Sequence, residues 1–578
     1  MSRLSKTVAV LMLAVFGLLI YLPGLYTETG ITSKDEYLLT LRTPMEMVER
    51  GEYATPYLDT VPRLKKPPLM YWLISANYKL FGVNLLSARA WGMLFAIGMS
   101  ALTMLIYREL FEEDESPVMR GAGIGLQGLV PALLVLTSAG ASIQARLALL
   151  DLPLAFFVTL SVYFFLLWKG AGRSRYLYLG AVACALSALT KGPVGPGVAV
   201  LAALLSFFIL GGWGELKRRW TDVAVSILIF FAVVLPWPIA MYLKWGDLFT
   251  GELFNELVSA RFMSSYSTGP EVVIGGLMLL LLPWSFLYVR AFLSMLLHGL
   301  EPQYTRQLWL LGWTLAALLP FLLLKVKFER YVIVALPPAV MMLCSVPYKS
   351  SLWKGAAHRV GALFYTALGL FFISFGYWFK LTNGAVLALL VLFVGLFFFY
   401  MWRAGGKERE KSFLVAVVAA GLFNMALFGL LYPGFGIQRT PPELLYVLKQ
   451  RPAEVFYYKG DNPGMLSIRL KRSVQKVITP ADLKEGADKG IYLIVEDRLV
   501  PDLKYVSMLA GVTVHEPLLS FESFYSRRSW IKFAREGATK DDWRMAFKER
   551  SLDGLKTGFG LYFISSSSTA IRSGWGPL

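Results

Sequence analysis

About thirteen stretches of roughly twenty apolar residues run through this chain, and no other feature limits its folding as strongly. A helix of that length spans a hydrocarbon layer ~30 Å thick, where backbone N–H and C=O groups cannot be left unpaired. The runs cover residues 7–26, 88–107, 122–142, 148–168, 175–191, 193–213, 221–243, 271–297, 307–324, 331–348, 359–379, 384–402 and 412–433. They predict a polytopic α-helical membrane protein. With 56% apolar and only 17% charged residues in 578, an ordinary soluble enzyme is excluded. The formal charge of +18 does not point to nucleic acid, because Lys and Arg recur in short clusters between apolar runs rather than along one face.

The first run follows Arg3 and Lys6, and its length and lack of a small-residue cleavage site predict a retained helix rather than a removed signal. Lys169/Arg173/Arg175, Lys217/Arg218/Arg219, Lys349/Lys354/Arg359 and Arg403/Lys407/Arg409/Lys411 fall in alternate loops, which marks those loops as cytoplasmic. Residues 1–433 then form the membrane domain, with 27–87 as its first outer loop. An odd number of spans sends residues 434–578 to the outer side. Strand-like stretches at 454–458, 490–495 and 560–565 predict a small soluble α/β domain there. Cys184 and Cys344 both lie inside apolar runs, and His298, His358 and His515 share no ligand spacing, so neither a disulfide framework nor a histidine-built metal site is expected.

Cations on the outer side need another explanation than topology. They include Lys34, Arg42, Arg50, Arg63, Lys65 and Lys66 in the first loop, then Arg146, Lys191, Lys244, Arg261, and Lys325/Lys327/Arg330. Such charges either solvate a loop or serve a ligand. The Lys65-Lys66-Pro67-Pro68 segment cannot continue as simple helix, and it holds two ammonium groups at headgroup depth. They suit a phosphate, or they snorkel beside the aromatics Tyr71 and Trp72. Asp35-Glu36 opens the same loop. Asp151 begins the fourth run, where a carboxylate needs a partner or an aqueous cavity; Arg146 or a substrate would serve.

The order Asp35-Glu36, Met47, Gly51, Pro56, Leu58, Lys66-Pro67-Pro68-Leu69, Tyr71-Trp72, Leu80-Phe81-Gly82 and Ala88-Arg89 resembles the first outer loop of bacterial aminoarabinose transferases. These are relatives of the protein O-mannosyltransferases in the C-type glycosyltransferase superfamily. Leu150-Asp151-Leu152-Pro153, Leu189-Thr190-Lys191-Gly192-Pro193, Arg261-Phe262, and Lys325–Tyr331 followed by Pro337-Pro338 are similar in the same order. The resemblance implies the C-type fold and an inverting transferase that takes a monosaccharide, aminoarabinose or a similar sugar, from a polyprenyl-phosphate carrier. The implied acceptor is lipid A or a related outer-leaflet glycolipid. It also implies a bacterial inner-membrane location, with the site and C-terminal domain periplasmic. The essential carboxylate falls on Asp35, a second acid on Asp151, and the phosphate-binding cations on Lys66 and Arg261. Two positions depart from the family: Lys65 stands where Glu is common, and Glu256 approximately where His is common. A metal requirement therefore does not carry over, and no cofactor is expected. Leu38 replaces an Arg of the family, which leaves the sugar open.

In a displacement from such a donor, cations stabilise the departing phosphate and a carboxylate orients or deprotonates the acceptor on the opposite face. Lys66 and Arg261 fill the first role, with Lys65, Lys191 and Lys325 behind them. Asp35 fills the second, while Asp151 and Glu36 position substrate. The apolar helices offer a prenyl groove, with Tyr71, Trp72 and Trp237 as liners or as interfacial belt. The expected partners are the lipid-linked sugar, the acceptor glycolipid and membrane lipids, with no nucleic acid and the chain acting as a monomer. A protein O-glycosyltransferase is the alternative within the class, and a lipid flippase or transporter the alternative outside it. The latter would place charges at mid-membrane in two repeated halves, whereas these charges gather at one face and no repeat is visible.

Overall fold

The computed structural model describes residues 6–29, 31, 33, 35–111, 128–265, 267–346, 355–405, 409–450, 453–460, 465–524 and 534–565. Lys34, Lys349, Lys354, Lys407 and the first residues of the 122–142 run lie outside the described residues. Helix occupies each of the thirteen apolar runs where they are described. Seven helices among the described residues are by themselves long and apolar enough to cross a membrane: Leu85–Phe111, Asp151–Ala171, Trp220–Trp245, Pro302–Leu323, Ala356–Trp378, Gly384–Ala404 and Lys411–Phe435. Lys6–Tyr21 and Val194–Leu210 are shorter apolar helices.

Some runs depart from a straight helix. Residues 271–297 form two helices, Glu271–Leu281 and Ser285–His298, set at 119° to each other. Pro283 sits in the break; it has no N–H to donate and it restricts the residue before it, so the helix cannot pass through. The 331–348 run likewise begins as a 3₁₀ stretch, Glu329–Ala335, before the helix Leu336–Ser345 that carries Pro337 and Pro338 in its first turn. That irregular entry presents Arg330 and Tyr331 at the bundle's end.

Helix Asp151–Ala171 packs against Leu85–Phe111 and Ser174–Lys191. It separates two charged ends by about 30 Å, the rise of 21 helical residues. Asp151 opens it and Lys169 lies in its last turn, where Arg219 packs against Gly172. The segment leading to Asp151 lies close to the neighbouring helix. A side chain at Gly92 would come within 2.6 Å of the Leu147 carbonyl, so only glycine permits this approach.

The first loop is folded rather than loose. A π-helical turn, Glu36–Thr40, leads into helix Arg42–Arg50, which Gly51 ends in the left-handed region at φ 68°. A short hairpin follows, β1 (Tyr57–Leu58) with β2 (Val61–Pro62), and then helix Leu69–Phe81. The loop is anchored by a buried ion pair. Arg89 donates from Nε and Nη2 to the two oxygens of Glu36 at 2.8 and 3.0 Å, and from Nη1 to the carbonyls of Leu25 and Thr27. The backbone N–H of Ala148 donates to the same carboxylate at 2.9 Å. Both side chains are essentially inaccessible.

The C-terminal region carries a five-stranded sheet in the order β4-β3-β5-β7-β6. The strands are β3 (Glu454–Tyr458), β4 (Gln475–Val477), β5 (Ile491–Glu496), β6 (Leu519–Ser523) and β7 (Thr557–Ile564). β3 runs parallel to β4 and β5, and β7 antiparallel to β5 and β6. Helices Pro480–Lys489 and Val500–Ala510 help cover it, through Leu483, Ala487, Leu503 and Val506. This region docks on the first loop. Arg42 donates to the Val474 carbonyl at 2.9 Å, Ser473 to Glu49 at 3.2 Å and Tyr457 to Asp59 at 3.3 Å, while Arg469 pairs with Glu28 at 2.8 Å. Sheet, first loop and Asp151 therefore share one end of the molecule.

Because Glu36 and Arg89 are both desolvated, removing one strands the other. Arg89→Ala is expected to lower stability by about 3–5 kcal/mol, and Glu36→Gln with Arg89→Met together by much less. Thermal and denaturant unfolding in detergent would measure both; a single variant as stable as the parent would refute the anchor.

Candidate functional site

Asp35 and Glu36 are adjacent, yet the backbone turn sends them to different places. Glu36 points inward to Arg89. Asp35 keeps 47% of its side chain exposed and accepts a hydrogen bond from Arg330 Nη2, while Arg330 Nη1 donates to Ser33 at 3.1 Å. The expectation that Glu36 positions substrate is thereby corrected: both its oxygens are taken by an internal guanidinium and it reaches no open space.

From Asp35 a continuous chain of opposite charges crosses the end of the bundle. Arg330 Nε lies 3.5 Å from Asp151, and Asp151 pairs with Lys191. The Lys191 ammonium rests 3.6 Å from the centroid of Tyr331, a cation–π contact. The Tyr331 hydroxyl accepts from Arg261 Nη1 at 3.1 Å. Arg261 Nη2 in turn donates to Glu256 Oε1 at 2.5 Å, and Lys66 Nζ reaches the same oxygen at 2.5 Å. Residues 35, 66, 151, 191 and 261, far apart in sequence, thus converge.

Asp151 does not pair with Arg146. That guanidinium is buried and donates to the carbonyls of Ile20, Pro23 and Ser142, where it helps satisfy the C-terminal end of the first helix. Lys325 also stands outside the chain of charges. Its side chain is exposed, and its backbone serves the site by bonding the Arg261 carbonyl at 2.8 Å. Lys327 is buried and spends its ammonium on the carbonyls of Thr268 and Leu324. Lys65 is half-exposed and pairs with Glu252 at 3.2 Å.

A cleft of about 340 Å³ opens on this cluster. Lys66, Lys191, Glu256, Arg261 and Tyr331 line its polar part, and Val194, Leu257, Phe262, Leu319 and Leu323 its apolar part. The groove is thus not the one expected at Tyr71, Trp72 and Trp237. Trp72 and Trp237 donate their indole N–H groups to the carbonyls of Tyr53 and Ala54, and the buried Tyr71 hydroxyl accepts from Arg63, so all three brace the first loop. A larger cavity of about 430 Å³ lies near the other end of helix Asp151–Ala171, around Phe165, Trp168 and Phe207. Among the described residues, no charged side chain lines it.

Local backbone geometry explains one pairing. Asn255–Ser259 is a π-helical turn, and the wider turn lets residues five apart, Glu256 and Arg261, share a face. Burial lowers the Lys66 pKa below the usual lysine value, with Lys191 and Arg261 adding like-charge repulsion, although Glu256 opposes this. For Glu256 burial acts upward, but Lys66 and Arg261 outweigh it and hold the carboxyl below its ordinary value. Arg330 is driven up despite burial by Asp151 and Asp35.

The residues that sequence reasoning left unassigned are Arg330, Tyr331 and Glu256. Arg330 and Tyr331 follow Lys325 in the segment ahead of Pro337-Pro338, and Glu256 lies five residues before Arg261; both were readable as motif neighbours. The Glu256 carboxylate is held by an ammonium and a guanidinium, and no group of three or more His, Cys, Asp or Glu converges among the described residues.

A family model described as dolichyl-phosphate-mannose-protein mannosyltransferase matches residues 7–248. The chain is 26% identical over 312 residues to an uncharacterized protein of Aquifex aeolicus, which covers 53% of this chain and 58% of that protein. It is 26% identical over 477 residues to an undecaprenyl phosphate-alpha-4-amino-4-deoxy-L-arabinose arabinosyl transferase of Pseudomonas aeruginosa, over 77% of this chain and 79% of that protein. Its fold is similar to the crystal structure of ArnT from Cupriavidus metallidurans bound to undecaprenyl phosphate, with a TM-score of 0.69, 16% identity, and coverage of 98% of this chain and 99% of that one. Together with the apolar helices, these likenesses give the chain the multi-pass membrane architecture of the C-type glycosyltransferase fold, with sequence similarity to the aminoarabinose transferases over 77% of its length and to the mannosyltransferase family model over residues 7–248.

Proposed function

We propose that this protein is an inverting membrane glycosyltransferase that moves a monosaccharide from a polyprenyl-phosphate carrier to lipid A or a related outer-leaflet glycolipid. The reading places it in a bacterial inner membrane with the cleft on the periplasmic side. What carries it is the cleft itself, which joins a cation pair, Lys66 and Arg261, to an apolar groove at the membrane end of the bundle. An amphiphile with a phosphate head and a prenyl tail has that shape and polarity. The ArnT structure bound to undecaprenyl phosphate and the aminoarabinose transferase relatives support the same donor class.

In this mechanism the acceptor oxygen attacks the anomeric carbon as the bond from that carbon to the donor phosphate breaks. The electron pair leaves on the phosphate oxygen. Lys66 and Arg261 stabilise the charge that grows there, with Lys191 behind them, in a site where water is scarce and such contacts are strong. Asp35, open to solvent on one side and held by Arg330 on the other, orients the acceptor. A lipid A phosphate arrives already anionic and needs only positioning; a hydroxyl acceptor needs Asp35 as base. Arg330 and Asp151 fix the distance between acceptor and leaving-group ends. The mannosyltransferase family model favours a second reading, transfer to a protein hydroxyl.

Mass spectrometry of lipid A and of envelope proteins from cells with and without the gene separates these readings. A mass increment on lipid A that vanishes with the gene supports the first; an unchanged lipid A with altered glycoproteins supports the second. Asp35→Asn and Lys66→Ala are each expected to reduce transfer by at least about a hundredfold while the purified proteins unfold at parental temperatures. Parental activity in either variant removes that residue's role. Turnover is further expected to persist in EDTA, because an ammonium takes the carboxylate that would ligate an ion; loss of activity that a divalent cation restores would overturn this.

A further inference from the structure

Among the described residues, Glu256 is the acid that pairs with both Lys66 and Arg261, and its position is informative. A single oxygen, Oε1, receives both Lys66 Nζ and Arg261 Nη2 at 2.5 Å. A bridging oxygen between an ammonium and a guanidinium is the arrangement that a phosphate oxygen would take. The three side chains are only 15–19% exposed, so the two cations would repel each other strongly if left without an anion. Around them Arg63, Lys191 and Arg330 add positive charge, while Asp151 and Asp35 are already engaged by Lys191 and Arg330.

We propose that Glu256 is a placeholder carboxylate, which occupies the phosphate position of the cleft when no lipid is bound and competes with the lipid phosphate for Lys66 and Arg261. This rests on the donor class proposed above and extends it to the binding cycle. Entry of the donor exchanges one anion for another, so the cations are never both unpaired. After transfer the product is a polyprenyl phosphate with more negative charge than the donor's diester, and it would be held more tightly. Glu256 returning to Lys66 and Arg261 offsets that grip and promotes release. Binding strength given up in this way raises turnover, because product held as tightly as the transition state would stall the enzyme. Glu256 is accordingly a positioning residue; it sets how firmly the phosphate is held and does not touch the sugar.

The sign of one measurement decides. Purified full-length protein in detergent is titrated with undecaprenyl phosphate, and steady-state kinetics are run in parallel. Glu256→Gln removes the competing charge and is expected to bind the lipid phosphate about tenfold more tightly, with KM for the donor and kcat both reduced. Glu256→Asp, which keeps the charge and shortens its reach, falls between. A residue that merely supports Lys66 and Arg261 gives the opposite result, and weaker or unchanged binding by Glu256→Gln overturns the proposal. If Glu256→Gln does not fold, judged by its thermal unfolding, Glu256→Asp is decisive in the same direction. Failure of the parent protein itself to bind the lipid phosphate refutes the donor class instead, which keeps the two conclusions separate.

Discussion

A charge taken out of water has to be met by an opposite charge, and in a chain this apolar that requirement organises everything else. Hydrocarbon tolerates helices because their backbone groups pair internally, but it tolerates charged side chains only at helix ends or in pairs. The result here is a line of alternating charges at one end of the bundle: Asp35, Arg330, Asp151 and Lys191, then across Tyr331 to Arg261, Glu256 and Lys66. Each group between the two ends is held by neighbours on both sides, while Asp35 is held on one side only. Such a line is preorganised, so its dipoles and charges need little rearrangement when a ligand's charge arrives. It also couples the two ends, because Arg330 touches both the exposed carboxylate and the buried one.

The adjacent pair Asp35-Glu36 shows how one short turn serves both structure and chemistry. Glu36 is spent entirely on Arg89, tying the first loop to helix Leu85–Phe111. That tie fixes the backbone next door, so Asp35 is held where it meets Arg330 while its own side chain stays half open to solvent. The C-terminal sheet adds a second constraint from above, through Arg42, Glu49 and Asp59. The loop that carries Asp35 and Lys66 is therefore clamped between the bundle and the sheet.

Local properties were legible in the sequence, and long-range partners were not. Length of apolar run is local, and helix occurs in each of the thirteen runs where they are described. The stretches 454–458, 490–495 and 560–565 read as strands for the same reason and correspond to β3, β5 and β7. The break at Pro283 was also a local signal, but a long apolar run masked it. Asp151 could be seen to need a cation, yet the nearest in sequence, Arg146, is turned toward the end of the first helix. Lys191 reaches it because the next helix, Ser174–Lys191, folds back beside Asp151–Ala171, and Arg330 because the distant Glu329–Ala335 stretch packs against the same helix. Similarly, Tyr71, Trp72 and Trp237 read as groove liners or as interfacial belt, whereas their indole and phenol groups found backbone and guanidinium partners in the first loop. The apolar wall comes instead from Val194, Leu257, Phe262, Leu319 and Leu323, ordinary residues that no motif distinguishes.

The two departures from the resembled family, Lys65 and Glu256, lie on facing walls of one gap, each paired with a neighbour of the other. Lys65 and Lys66 extend from one loop, and Glu252 and Glu256 from the facing helical segment, giving two parallel ion pairs across the same gap. The outer pair is half-exposed and contributes little, because water screens it. The inner pair is largely shielded and also engages Arg261, so it carries most of the interaction. Exchanging an acid for a lysine at 65 therefore favours an acid on the opposite wall, since two ammonium groups facing a neutral wall would leave the gap strongly positive. The inner pair lies where the cleft opens on Lys66, Glu256 and Arg261, so the charge balance of the gap is also that of the cleft's polar wall.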